Sequence, residues 1–418
     1  MSDTSTWLNN IVLPPSHPQL EGNVTADVVI VGGGLTGTLS AYLLGKAGKK
    51  IIILEKKDIS NTTTAYTTAW LNCVIDTDVC DLIKMYTESG ASKIWHSGME
   101  AMDLIEKIIL EEKIDCGFGR FSHFRYATSE KEMRNLRKEH ECAQRLGFNT
   151  ALHDTQVLNF PNNGSLEIKS QAKFHPIKFL IGLRTASLKY GVVYYENTEV
   201  QNLSGNKPIV AITKNGKVIA DYSIIATYHP FNNPKELFAH KADYVSYVIE
   251  ANIPRNSIPE GLYEDEKNPY HYFRIDAFPK FDSIILGGED HRKEIPVSEN
   301  KNYKALMCYL DKLLPNIKYT VVRKWSGEII ETIDGLPYIG SYSKNNANML
   351  IATGFSGNGM TYAAVAGQIF TDIVLKRNNP YIELYDASRK TKLHNFMKKL
   401  FDFVGEFFGG AAKNMFRS

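Results

Sequence analysis

The sequence is organised around the stretch DVVIVGGGLTG at residues 27–37. Its residues 28–31 are apolar and β-branched, which is typical of a strand buried on both faces. Glycines follow at once, and apolar residues then recur at helical spacing over residues 36–48. A second apolar run, residues 51–54, ends at Glu55. This order predicts a strand–helix–strand unit of a parallel sheet.

The glycines between the first strand and the helix form the pattern G-x-G-x-x-G. Gly32 allows a tight turn, Gly34 lets the backbone approach a pyrophosphate, and Gly37 permits close packing of helix and strand. The start of the helix supplies partial positive charge. Glu55, 18 residues after Gly37, is placed to accept hydrogen bonds from a ribose. The fingerprint predicts a bound dinucleotide but does not separate FAD from NAD.

The composition excludes several classes of protein. The 418 residues correspond to about three domain-sized units. Lys and Arg number 48 against 46 Asp and Glu, so the net charge of +2 gives no field to hold a polyanion, and we expect no nucleic-acid partner. The first 25 residues lack a signal-peptide pattern, and no apolar run approaches a membrane span. We expect a cytoplasmic protein.

The five cysteines are odd in number and include no C-x-x-C pair. They predict neither a disulfide framework nor a zinc ribbon, and we expect reduced thiols and no metal site.

Later segments complete the organisation. Residues 94–110, 130–146 and 361–375 have helical patterns, and Asn215-Gly216 predicts a tight hairpin turn. Residues 241–324 alternate aromatic and polar positions, which indicates an antiparallel sheet with one solvated or ligand-facing side.

Three further stretches resemble motifs of the D-amino-acid-oxidase-like FAD oxidoreductases, a superfamily that includes glycine and sarcosine oxidases. They are SIIAT at 223–227, DGLPYIG at 334–340 and ATGFSGNGMT at 352–361, in matching order and spacing. The stretch TTTAYTTA at 62–69 is most similar to the branch that often carries a C-terminal Rieske domain. Rieske ligands are absent from this sequence, so an iron–sulfur partner would be a separate chain.

The resemblance, which runs from about residue 20 to about residue 385, implies an α/β fold. We expect a doubly wound, Rossmann-like FAD-binding domain with an inserted substrate domain built on an antiparallel or mixed sheet. The expected FAD-binding domain comprises residues 1–85, 165–240 and 325–385, and the substrate domain residues 86–164 and 241–324. We expect residues 386–418 to form an amphipathic C-terminal tail, which would either dock on protein or lie on a membrane surface.

The resemblance also implies FAD, with a helix near Gly359 or Met360 aiming N–H groups at the flavin N1 and C2=O. Some relatives link the flavin covalently, for which Cys73 or a nearby residue is the candidate here, but a buried inert thiol is the alternative and we expect noncovalent FAD. The expected FAD-binding residues are Gly32, Gly34, Leu35, Thr36, Gly37, Glu55, Lys56, Thr67, Thr68, Val200, Ala226, Thr227, Gly354, Gly357, Gly359, Met360 and Thr361.

Four side chains are the candidates for substrate contact. Arg274 would clamp a carboxylate, Tyr272 would hydrogen-bond it, and Glu328 or His291 would orient or deprotonate an amine. Structural alternatives are an ion pair for Arg274, a loop position for His291 and packing for Tyr272. Ile329 occupies a position where amino-acid-oxidising relatives often have arginine, which leaves amino-acid specificity open.

The reaction implied by the resemblance is oxidation of a C–N bond in a small amine or amino acid. Hydride transfer to flavin N5 would be followed by hydrolysis of the imine, with oxygen, quinone or a separate redox protein as electron acceptor. One alternative is a dehydrogenase that feeds a separate Rieske protein or quinone. Another is an FAD-binding protein that is non-catalytic or RNA-related. For an oxidase or a dehydrogenase, any peripheral membrane contact would come from the C-terminal tail.

Overall fold

The computed structural model describes residues 2–58, 62–230, 241–343 and 346–389. It confirms the predicted α/β class: two large β-sheets share the molecule with helices packed against them. The expected tail from residue 390 onward lies outside the described residues. None of the helices that the structure describes has the length and hydropathy of a membrane span.

The helices and strands are numbered in chain order. The described helices are α1 (Leu35–Lys46), α2 (Val79–Glu112), α3 (Glu130–Arg145), α4 (Pro176–Leu188), α5 (Glu299–Leu313), α6 (Gly359–Val374) and α7 (Ile382–Tyr385). The strands before residue 230 are β1 (Gly22–Val31), β2 (Ile51–Leu54), β3 (Trp70–Leu71), β4 (Gly119–Ala127), β5 (Thr150–His153), β6 (Gly164–Lys173), β7 (Val193–Tyr195), β8 (Val200–Gly205), β9 (Ile209–Thr213) and β10 (Gly216–Ile225). The later strands are β11 (Lys241–Ile253), β12 (Gly261–Asp265), β13 (His271–Ala277), β14 (Asp282–Arg292), β15 (Thr320–Thr332), β16 (Tyr338–Ser343) and β17 (Asn346–Thr353).

The first sheet has the order β16-β17-β10-β1-β2-β7, and its central strands are parallel. Residues 28–31 of β1 and 51–54 of β2 are buried, as expected for strands covered on both faces. Helix α1 packs against α4 and α6. The turn at Asn215-Gly216 joins β9 to β10 as an antiparallel hairpin. Because β1, β2 and β10 run in parallel, their carboxyl ends meet at one edge.

The second sheet has the order β15-β11-β14-β13-β12-β4-β6-β3, and β5 pairs with β6. Its pairs are antiparallel except β4 with β12, so the sheet is mixed. The domain boundaries expected from the sequence assign residues 165–173 to the FAD-binding domain, whereas β6 hydrogen-bonds within this second sheet.

A disulfide joins Cys80, near the start of α2, to Cys142, near the end of α3, which corrects the prediction of reduced thiols. The sequence could not reveal this pair because it forms only where two helices distant in the chain pack together. Beside it, the Glu139 carboxylate accepts hydrogen bonds from the Val79 and Cys80 N–H groups at the start of α2. The free thiols of the described chain are Cys73 and Cys116, both buried, and the exposed Cys308.

We expect the Cys142→Ser protein to unfold at lower urea concentration than the wild type under nonreducing conditions. The bridge closes a loop of 62 residues, and losing that constraint costs about 4 kcal/mol in the chain-entropy model. The measurement is urea unfolding followed by far-UV circular dichroism. Cys308→Ser is the matched control and should leave the midpoint unchanged. Equal midpoints for Cys142→Ser and the unreduced wild type would contradict the bridge.

Candidate active site

A cavity of about 580 Å³ opens at the carboxyl ends of β1, β2 and β10, within the range of ~300–1,000 Å³ usual for ligand pockets. Residues of both sheets line it. Most of the residues expected to bind FAD are in this lining: Gly32, Gly34, Leu35, Thr36, Glu55, Lys56, Thr67, Thr68, Val200, Ala226, Thr227, Gly354, Gly357, Gly359 and Met360. Of the substrate candidates, Tyr272 and Glu328 line it. The residues placed elsewhere are Gly37, Thr361, Arg274 and His291.

The three fingerprint glycines meet different demands. Gly32 has φ +108°, and a Cβ there would lie 2.5 Å from the Ala226 carbonyl oxygen. A Cβ at Gly37 would lie 2.0 Å from the Gly32 oxygen. Gly34 lines the cavity, and a Cβ there would meet only Thr64 Oγ1 at 3.6 Å and Thr62 Cβ at 3.9 Å. The first and third glycines therefore serve the packing of the chain itself, while Gly34 leaves space for a ligand.

Glu55 stands at the end of β2 with its carboxylate held in place. Oε2 accepts a hydrogen bond from the Gly33 N–H at 2.7 Å, and Oε1 accepts one from the Lys57 N–H at 2.9 Å. Lys56 forms an ion pair with Glu199 at 2.7 Å nearby. A fixed carboxylate with free lone pairs suits the hydroxyls of a ribose. This end of the cavity therefore fits the adenosine part of a dinucleotide.

Three hydrogen bonds from other parts of the chain hold the segment 62–69 in place. Thr64 Oγ1 accepts a hydrogen bond from the Leu35 N–H, at the start of α1. The Trp7 indole N–H donates to the Thr67 carbonyl at 2.5 Å, and that of Trp325 donates to the Tyr66 carbonyl at 3.3 Å. Trp7 and Trp325 had no local sequence signal, because their partners lie 60 and 259 residues away. They hold the cavity-lining threonines in position.

Thr361 supports the site without lining it. It is buried, its hydroxyl donates to the Asn72 carbonyl, and it accepts from the Asn72 N–H. Asn358 Nδ2 donates to Asn72 Oδ1 at 2.6 Å and to the Val74 carbonyl at 2.8 Å. These bonds fix the start of α6, where a Cβ at Gly359 would have nothing within 4 Å. The partially positive end of the helix thus faces open space in the cavity.

Arg274 differs from the sequence expectation of a substrate clamp. It is 3% exposed, and its Nε and Nη2 donate to Asp276. Its Nη1 donates to the carbonyls of Thr68, Ala69 and Phe174. These hydrogen bonds engage all three nitrogens of the guanidinium. Its position makes it a brace between the second sheet and that segment.

Tyr272 reaches the cavity because of a glycine on the neighbouring strand. Its ring lies where a Cβ at Gly287 would be, 2.5 Å from Cζ. The Trp70 ring packs edge-on against it at 5.6 Å. Its hydroxyl lies 3.3 Å from Ser246 Oγ, and burial raises the pKa of the phenol, which stays protonated. Ser246, missed by the sequence analysis, also lines the cavity.

Glu328 stands at the cavity rim and is already paired. Lys293 Nζ contacts its Oε1, and His229 Nε2 lies 3.1 Å from its Oε2. Burial acts to raise the pKa of Glu328, but Lys293 and His229 outweigh it and the pKa is lowered. A carboxylate of lowered pKa is a weaker proton acceptor, so the arrangement disfavours the expected role as a base.

His291 faces away from the cavity, stacked on Tyr247 with ring centroids 5.6 Å apart. Burial lowers its pKa. Side chains alternate along β14, so the neighbouring Asp290 lies on the opposite face of the strand, beside Ser246. The sequence analysis missed Asp290, because a bulge in the pairing of β11 with β14 shifts the alternation of side chains there.

The chain matches the family model "FAD dependent oxidoreductase" (DAO) over residues 27–373. The putative Rieske 2Fe-2S iron-sulfur protein YhfW of Bacillus subtilis is 29% identical, covering 90% of this chain and 74% of the relative. The gamma-glutamylputrescine oxidoreductase of Escherichia coli is 25% identical, covering 85% of each chain. The crystal structure of glycine oxidase from Geobacillus kaustophilus has a TM-score of 0.73 at 18% identity, covering 88% of this chain and all of that one.

FAD is the cofactor of this family, and the cavity fits it. The glycine turn and Glu55 suit the nucleotide end, and the open start of α6 suits the electron-rich edge of a flavin. No group of three or more His, Cys, Asp or Glu suited to a metal occurs in the part of the chain that the structure describes.

We expect Gly34→Ala to impair FAD binding and Gly37→Ala to impair the stability of the protein. An alanine at position 34 fits the protein but fills ligand space, so the apoprotein should keep its melting temperature and bind FAD at least about tenfold more weakly. An alanine at position 37 overlaps the Gly32 carbonyl and should lower the melting temperature of the apoprotein itself. Differential scanning fluorimetry and flavin-fluorescence titration separate the two. Unimpaired FAD binding by Gly34→Ala would contradict this placement.

Arg274→Met should lower the free energy of unfolding by about 3 kcal/mol, because three carbonyls lose a charged donor. Arg274→Lys, which keeps the charge but loses the fork, should lie between Met and wild type. Urea unfolding of the holoenzyme gives the stabilities. Wild-type stability of Arg274→Met together with a higher KM for carboxylate-bearing substrates alone would restore the clamp role.

Proposed function

The chain belongs to the DAO family of FAD-dependent oxidoreductases, and on that premise we propose that it oxidises a C–N bond of a small amine or amino acid. The observation that carries the proposal is the shared cavity. Gly32 and Gly34 of the dinucleotide fingerprint line the same space as Ser246, Val248 and Tyr272 of the second sheet. A substrate on the second sheet would therefore lie beside the redox end of the cofactor.

FAD, when bound, supplies a two-electron acceptor for a hydride from the carbon next to nitrogen. The substrate nitrogen loses a proton, and water hydrolyses the resulting imine to a carbonyl compound and an amine. The residues of the chain bind and orient the cofactor and the substrate. The open start of α6 at Gly359 and Met360 would stabilise negative charge on the reduced cofactor, since helix N-termini carry partial positive charge.

The names of the relatives support an amine or amino-acid substrate. One relative is named for gamma-glutamylputrescine, and further relatives are named glycine oxidase and D-amino acid dehydrogenase. The paired state of Glu328 favours a mechanism in which the protein positions the substrate more than it supplies a strong base.

A dehydrogenase that passes electrons to an iron–sulfur protein is the second candidate for the electron acceptor. The observation in its favour is the similarity over 90% of this chain to a relative named as a putative Rieske protein. Peroxide formation under air, compared with reduction of an artificial one-electron acceptor, distinguishes an oxidase from a dehydrogenase.

Anaerobic addition of the right amine should bleach the oxidised flavin absorbance of the holoenzyme, because the two electrons remain on the cofactor. A panel of amino acids, N-methyl amino acids and polyamines covers the proposed class, and dithionite gives the spectrum of full reduction. The matched control is the tertiary-carbon amine tert-butylamine, which has no hydrogen on the carbon bearing nitrogen. A flavin that dithionite reduces but no member of the panel bleaches would contradict the proposed function.

A further inference from the structure

The second sheet carries a bulge that brings Asp290 beside Ser246, a residue that lines the cavity. In the pairing of β11 with β14, Val245 lies opposite His291 and Tyr247 lies opposite Gly288, so Glu289 and Asp290 together face Ser246. Glu289 has φ +57°, a left-handed conformation that favours glycine. Such bulges re-aim side chains and are common beside functional sites. The consequence here is that Asp290 lies across the ladder from Ser246, and the Ser246 hydroxyl, as its hydrogen-bonding neighbour, acts to lower the pKa of the Asp290 carboxyl.

The Asp290 carboxylate is buried and incompletely satisfied. Its Oδ1 has no hydrogen-bond partner, and within the described ranges the carboxylate forms no ion pair with lysine or arginine. Burial raises the pKa of Asp290 to about 6, so the group is ionised at neutral and alkaline pH. An ionised carboxylate only accepts hydrogen bonds.

That restriction sets the direction of the hydroxyls beside it. Ser246 must donate its single hydrogen to Asp290, so Ser246 Oγ acts as the acceptor for the Tyr272 hydroxyl 3.3 Å away. Tyr272 then has no hydrogen left for the cavity. Thr68 is another hydrogen-bond partner of Tyr272. Because a phenol oxygen has two acceptor sites, it can accept a hydrogen bond from Thr68 and still offer one site to a ligand. The cavity end at Tyr272 and Ser246 thus presents oxygen lone pairs to a ligand.

The cationic groups of the cavity reinforce this polarity. No arginine is among the described residues that line it, and its basic residues are Lys56, Lys57 and His229. Lys56 is paired with Glu199 at the opposite, adenosine end, and His229 is paired with Glu328 at the rim. Arg274 is committed to Asp276 and three carbonyls. A substrate carboxylate would find no bidentate donor at the Tyr272 end.

We propose that the Tyr272 end of the cavity selects the ammonium or amino group of the substrate and rejects carboxylates, with Asp290 as the positioning residue that fixes the polarity of Ser246 and Tyr272. This deepens the proposed function, on which it rests, by naming the substrate class: an amine with a free amino or ammonium group at this end and no carboxylate there. Diamines and simple primary amines fit, and small α-amino acids fit poorly.

A matched pair of redox-inert probes tests the proposal. tert-Butylammonium and pivalate have the same shape and opposite charge, and neither has a hydrogen that the enzyme can remove as hydride. Each is titrated into the oxidised holoenzyme at slightly alkaline pH, and the perturbation of the flavin absorption spectrum gives its Kd. We expect tert-butylammonium to bind at least about tenfold more tightly than pivalate.

Asp290→Asn should weaken the binding of tert-butylammonium and strengthen the binding of pivalate. The amide N–H can donate to Ser246, which reverses the direction of the Ser246 and Tyr272 hydrogens. Loss of stability alone would weaken both probes together. Ser246→Ala breaks the same chain without changing the charge and should also lower the ratio of the two Kd values. Glu294→Gln, which removes an exposed carboxylate two residues beyond the end of β14, should leave the ratio unchanged.

Equal binding of the two probes, tighter binding of pivalate, or binding of neither would overturn the inference, as would an unchanged ratio in both Asp290→Asn and Ser246→Ala. The proposed function fails separately, because its failure is an amine panel that leaves the flavin oxidised. Selective tert-butylammonium binding without any bleaching would therefore reject the reaction while showing the polarity of the site.

Discussion

The buried guanidinium of Arg274 ties the second sheet to the threonine segment at residues 62–69, and the active site depends on that contact. Its hydrogen bonds reach Asp276 on its own strand and the backbone of Thr68, Ala69 and Phe174. A charge buried this deeply is stable only with a full set of partners, which leaves the loop and the sheet little freedom to separate. The threonine segment and Tyr272 consequently line one cavity.

The other wall of the cavity follows from close backbone approach. Gly32 passes so near the Ala226 carbonyl, and Gly37 so near the Gly32 carbonyl, that no side chain fits at either position. These approaches bring the start of α1 to the carboxyl ends of the parallel strands, where ligands bind in open α/β sheets. The cavity thus has a glycine-lined half, which we propose for the cofactor, and a half at Tyr272 and Ser246, which we propose for the substrate.

The sequence predicted the parts of this arrangement that local patterns encode. The buried runs at residues 28–31 and 51–54, the glycine fingerprint and the Asn215-Gly216 hairpin each specify their own backbone, and the α/β class is confirmed. Contacts between distant segments could not be predicted from these local patterns. The Cys80–Cys142 bridge and the commitment of Arg274 to the loop 68–69 depend on packing, and the position of Asp290 depends on a bulge that no periodicity reveals. The domain boundaries and the roles of individual site residues remain predictions.

The central claim is that cofactor and substrate wall share one cavity, with the flavin ring between the start of α6 and Tyr272. A crystal structure of the holoenzyme measures this directly through the electron density of the bound FAD. We predict the pyrophosphate at Gly34 and the isoalloxazine bordered by Thr68, Gly359 and Tyr272. Density that places the ring outside this border, with Tyr272 remote from it, would contradict the account.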